Sequence, residues 1–122
     1  MIRYAHIGVT AFFLLPFLIT PSFAQYDDLK FEHITGADGL PDNAINDIVQ
    51  DYQGFIWIGT NSGLVKYDGL NMNTYCEKPD DTTQLIGSKI FSIYEDKNKT
   101  LWIGHSSGVS IYKRDMDSFQ TY

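Results

Sequence analysis

The sequence is 122 residues long, with 43% apolar, 15% aromatic and 20% charged residues. That length suits one small domain, and this balance excludes a disordered chain. A formal charge of −6 excludes a basic face for phosphate backbones, so no nucleic-acid partner is expected.

In chain order, the first element is not part of the fold. MIRYAHIGVTAFFLLPFLITPSFA carries Arg3, an apolar run ending near Ile19, then Pro21 with the small residues Ser22 and Ala24. A charged head, a short apolar core and a small-x-small exit predict a secretory signal peptide over residues 1–24, cleaved after Ala24. Thr10, Pro16 and the shortness of the run make a retained membrane anchor the lesser reading. Cys76 is the single cysteine, so an exported chain of this size has no intrachain disulfide to staple it.

The remainder, residues 25–122, repeats itself. Ile45–Tyr67 lies over Ile90–Tyr112 without a gap, and nine of 23 positions are identical. Asp51, Trp57, Gly59, Gly63 and Tyr67 return as Asp96, Trp102, Gly104, Gly108 and Tyr112. A shorter phrase occurs three times, as Phe31-x-x-Ile34, Met72-x-x-Tyr75 and Phe119-x-x-Tyr122. A period near 45 belongs to propeller blades and to some helical repeats.

Residues 45–50 are ambiguous, because Ile45, Ile48 and Val49 fall at helical spacing. The segment is short and runs into the turn Asp51-Tyr-Gln-Gly54, which favours a strand. Phe55–Thr60 and Thr100–His105 are rich in aromatic and β-branched residues and read as strands. Alternation puts Trp57 on one face and Ile56 and Ile58 on the other, so the strand needs cover on both sides. Gly59 and Gly104 point to places where another backbone comes close. Gly63 and Gly108 supply the positive φ that the turns after Thr60 and His105 require. Leu64–Tyr67 and Val109–Tyr112 return as hairpin partners, and the Phe-x-x-Tyr phrase provides an outer strand, four in each unit. The expected fold is all-β: repeat one over about 31–75 and repeat two over about 76–122, two blades of an incomplete propeller.

Gly39-Leu40-Pro41-Asp42-Asn43, Ile45-x-x-Ile48-x-x-Asp51-x-x-Gly54-Phe55-Ile56-Trp57-Ile58-Gly59-Thr60 and Ser62-Gly63-Leu64-x-x-Tyr67-Asp68-Gly69 together closely resemble the two-component regulator propeller repeat. The second copy departs from it, with Lys99 for Gly54, His105 for Thr60 and Val109 for Leu64. The resemblance implies the periplasmic sensor half of a bacterial hybrid histidine kinase or related transducer. Such proteins carry two many-bladed propellers, an immunoglobulin-like sandwich, one membrane helix and cytoplasmic signalling domains, and act as dimers. It further implies a small ligand, often an oligosaccharide. On this reading the chain is an N-terminal piece that needs further blades, and it meets the membrane only through parts C-terminal to it. A free-standing glycan- or protein-binding module, a ring of several copies and a piece of a propeller enzyme are the alternatives.

Catalytic chemistry has no obvious carrier, and no cofactor or metal is expected. His33 and His105 lack metal-ligand spacing to Cys or carboxylate, and read as a solvent-facing strand residue and a hydrogen-bonded strand end. Asp51 and Asp96 suit turn capping. Asp27-Asp28, Asp80-Asp81 and Asp115-x-Asp117 lack calcium-loop spacing and read as solvated acidic loops. Trp57 and Trp102 read as core rather than as sugar-stacking platforms. Loops at strand ends remain as ligand candidates, with Asp42, Asn43, Ser88 and Lys89 expected toward a central channel. Turn-making is the plainer role for the same four.

Overall fold

The computed structural model describes residues 29–122, and the expected signal peptide lies outside these residues. The unit Glu32–Tyr122 contains a short 3₁₀ turn, Gly36–Asp38, and eight strands. Thr35 and Asp38 form a reciprocal capping box on that turn. Strands β1 Ile45–Gln50, β2 Ile56–Thr60, β3 Leu64–Tyr67 and β4 Met72–Tyr75 form one antiparallel meander. Strands β5 Ile90–Glu95, β6 Leu101–His105, β7 Gly108–Lys113 and β8 Ser118–Thr121 form the second.

The helical spacing at Ile45 has a strand explanation. A bulge between Ile45 and Asp47 inserts one residue, so Ile45 pairs with Thr60 and Ile48 with Ile58. Both isoleucines therefore face the same side despite being three apart. The second sheet repeats the bulge between Ile90 and Ser92. Periodicity of three arose from a strand with one extra residue.

One face of the first sheet packs on one face of the second. Trp57, Leu64 and Tyr75 meet Leu85, Ile90, Ile93, Leu101, Ile103, Tyr112 and Phe119 in one buried cluster. The sheets are closest at β1 and β5, and backbone separation widens outward. Side-chain size follows that wedge. At the narrow side a Cβ on Gly59 would stand 2.7 Å from the Ile90 Cγ2. At the wide side the gap is filled by rings, with Trp57 edge-on to Tyr112 at 4.7 Å and Tyr75 to Phe119 at 5.1 Å. Ile58, Val65 and Leu40, with Ile56 and Met72 beside them, form a smaller cluster on the far face of the first sheet.

Four expectations need correction. Phe31-x-x-Ile34 forms no strand, because Met72–Tyr75 already fills the outer position of the first sheet, and His33 is exposed but not in a strand. What crowds Gly59 is a side chain of the neighbouring sheet, Ile90, and what crowds Gly104 is the Ser92 hydroxyl at 2.6 Å; neither is backbone. Trp57 is fully buried, whereas Trp102, in the matching register, is only partly so. Its face of the second sheet has no covering sheet among the described residues. Asp117 is no mere solvated charge, since it accepts from the Tyr75 and Tyr112 hydroxyls at 2.7 and 2.6 Å.

Candidate functional site

The segments leading into β1 and β5 lie at the same end as the β2–β3 and β6–β7 turns. Asp42 accepts from the Ala44 N–H at 2.8 Å and the Ser62 hydroxyl at 3.0 Å. The Ala44 N–H first, and then Ser62, hold its carboxyl below the usual range, so it stands ionised as an acceptor. Asn43 accepts from the Gly36 N–H at 3.1 Å. Lys89 accepts at its carbonyl from the Ser106 N–H at 3.0 Å, and its ammonium sits 5.6 Å from the centre of the exposed Phe91 ring. Ser88 is half-buried beside it. Asp42 and the Lys89 carbonyl thus tie the entry of each sheet to its own hairpin turn, and the Asp42 and Asn43 side chains bond no residue of the second sheet.

The joint between the two ends is made by residues that the repeat does not mark. Asn46 occupies the bulge of β1 and donates to the Asn61 side chain at 2.9 Å and across to the Ile90 carbonyl at 2.7 Å. Asp47 accepts from the Ile93 N–H at 2.7 Å. Their counterparts in the second sheet are Phe91 and Ser92, so sequence repetition gave no sign of this bridge. Polarity inside an otherwise apolar strand was the available signal.

At the opposite end the two aspartates shape their turns alike. Asp51 accepts from the N–H groups of Gln53 and Phe55, both at 3.0 Å, and from the Trp57 indole at 2.9 Å. Asp96 accepts from Asn98 at 2.8 Å, Thr100 at 2.9 Å and the Trp102 indole at 3.0 Å. Among the described residues, Asp51 has a cation and Asp96 does not. Arg114, from the β7–β8 turn, donates to Asp51 and to Glu95, each at 2.7 Å, and its guanidinium stacks 4.8 Å from the Tyr52 ring. Glu95 in turn accepts from the Tyr52 N–H at 3.0 Å. Lys66 lies between the sheets, 3.2 Å from the Tyr112 hydroxyl and 4.2 Å from the Phe55 ring centre.

His105 ends β6, buried, with Nε2 2.8 Å from the Ser110 hydroxyl, which also meets Thr121 at 2.7 Å. Tyr67 donates to the Gly69 carbonyl at 2.8 Å. Gly63 and Gly108 adopt φ of 151° and 135°, and a Cβ on either would strike the carbonyl of Tyr75 or Tyr122. Among the described residues no group of three metal-ligating side chains converges, and no helix is long and apolar enough to cross a membrane.

Two congruent four-stranded meanders, stacked on their large faces and closest at their first strands, define the class: these are two blades of an incomplete β-propeller. The two component regulator propeller model matches residues 39–62 and 84–107. The chain therefore carries two stretches that match this repeat, one in each sheet. It is 38% identical over 80 residues to histidine kinase P4 of Formosa agariphila, a stretch that is 66% of this chain and 6% of that protein. The solved extracellular domain of a hybrid two component system from B. thetaiotaomicron is 32% identical, with a TM-score of 0.67 over 75% of this chain and 13% of that one. The chain spans a small part of both.

Proposed function

We propose that these blades are part of the periplasmic sensing propeller of a hybrid histidine kinase, exported with cleavage after Ala24. The support is the stacking itself. Both blades match a repeat found in such systems, and the likeness to the extracellular domain extends over three-dimensional structure as well as sequence. The strand-end surface carrying Asp42, Asn43, Ser88 and Lys89 offers acceptors, a hydroxyl and an ammonium. That set suits a hydroxyl-rich ligand, an oligosaccharide by class, held jointly with loops of further blades. Binding would favour one arrangement of paired ectodomains and pass that bias to the kinase.

The test is calorimetric titration of the protein at its full encoded length with a panel of oligosaccharides. One class binds, and D42A or K89A weakens it about tenfold, the loss of one good hydrogen bond. Binding indifferent to changes at all four positions would sink this assignment. Amino-terminal sequencing of protein recovered from the periplasm is expected to begin at Gln25.

A further inference from the structure

The joint between the two blades shows what a face of this kind requires. On the first blade Trp57 points at the second blade, donates its indole N–H to Asp51, and the same Asp51 oxygen receives Arg114 from the β7–β8 turn. The second blade repeats the arrangement as far as it goes: Trp102 donates to Asp96 Oδ2, while Asp96 Oδ1 is taken by the turn N–H groups. Among the described residues no cation reaches Asp96 Oδ2. On the face that Trp102 shares, Tyr94, Val109 and Tyr122 are exposed by 63%, 41% and 68%. The corresponding positions of the first blade, Val49, Leu64 and Tyr75, are packed against the second.

We propose that the Trp102 face seats a further β-leaflet whose outer turn brings a guanidinium to Asp96, as Arg114 is brought to Asp51. This rests on reading the chain as part of a longer propeller. A second copy of this chain fits less well. Its leading blade presents the apolar Ile48, exposed by 58%, but carries Gly69 in a short turn where the second blade carries Arg114. A copy would bury Asp96 without a cation, which is unfavourable. The partner chemistry is therefore an apolar leaflet with arginine in its third turn. The inner edge of this seat differs from the first joint, because Phe91 and Ser92 replace Asn46 and Asp47. There Phe91 offers apolar contact and Ser92 a hydroxyl in place of the Asp47 carboxylate.

The test appends a second copy of residues 76–122 after Tyr122, so that the added blade carries the arginine. Exchange of the Trp102 indole N–H, followed by NMR, is expected to slow toward that of Trp57, and the Trp57 signal reports that the first joint is intact. Arg→Gln in the added blade, or D96N, restores fast exchange. Appending residues 31–75 instead, with Gly69 at the turn, protects Trp102 less. Unchanged Trp102 exchange, or protection indifferent to the arginine, overturns the proposal. So does protection in the 122-residue chain alone that grows with concentration, which would mark a second copy as the occupant. Should the tandem not fold, the protein of full encoded length decides: there Trp102 is expected protected and loosened by D96N, and an unprotected Trp102 rejects the seat. A failed glycan titration would leave this result standing, and an unprotected Trp102 would leave the glycan result standing.

Discussion

Arg114 Nη1 lies 2.7 Å from Asp51 Oδ2, so the last turn of the second blade grips the first turn of the first. Asp51 is fully enclosed and accepts four hydrogen bonds, whereas Asp96 accepts three and stays partly open. D51A removes a carboxylate from a buried charged joint and is expected to cost about 3 kcal/mol, against about 1 kcal/mol for D96A. Urea midpoints of the two variants check the difference.

Acid weakens this joint in a defined window. Burial alone would raise the Asp51 carboxyl, but the Trp57 indole, Arg114 and the Phe55 N–H outweigh it and hold it below 3.8. A lowered folded value means stability that is complete above the unfolded value of about 4 and is lost as pH falls through the folded one. D51N should flatten the acid limb of a stability–pH curve below that point. At the other extreme, burial and the Asp117 hydrogen bond push Tyr112 up to about 12. Its contribution is complete below the unfolded value of about 10 and fades as pH rises through the folded one, and Y112F should remove that alkaline limb.

Glycines 59 and 104 look alike in sequence and should not respond alike. A Cβ at Gly59 meets Ile90, itself wedged in the joint, at 2.7 Å from Cγ2 and 3.1 Å from Cβ. At Gly104 the nearest atom, 2.6 Å away, is the rotatable Ser92 hydroxyl. G59A is expected to cost about 2 kcal/mol and G104A less than about 1, read by thermal unfolding.

His105 stands where the first blade has Thr60, and burial lowers its pKa, with Glu77 opposing more weakly. A neutral imidazole held by the fold costs stability as pH falls from about 6.5 toward the folded value, because the unfolded chain takes up the proton first. H105T should remove that dependence while lowering stability at neutral pH by only about 1 kcal/mol, read from urea unfolding across pH, since Ser110 keeps Thr121 as partner.

The blades were legible because the residues that make them are periodic. Trp57 and Trp102, the turn aspartates and the turn glycines recur at fixed spacing, and that spacing is the backbone's own requirement for a meander. The joint was not legible, for the opposite reason. Asn46, Asp47, Glu95 and Arg114 act between blades, where each partner is unique, so none of them repeats. Trp102 shows the limit of position-by-position transfer: its register equals that of Trp57, but its burial depends on what stands opposite. Lys99 shows another limit. It holds φ at 65° where Gly54 holds 91°, and its ammonium lies 4.3 Å from the Tyr52 ring of the neighbouring blade. Contact across the joint compensates a turn that local preference disfavours.

The extra residue at the start of β1 and β5 leaves one side chain per blade without a ladder partner to satisfy. Asparagine fills that slot at position 46 and phenylalanine at 91, and the strands around them pair identically. Mutation there can alter what the innermost rim displays, and at position 46 the bond across to Ile90, while the ladder pairing within each blade stays the same. An array of such slots can diversify its chemical vocabulary while its scaffold stays still.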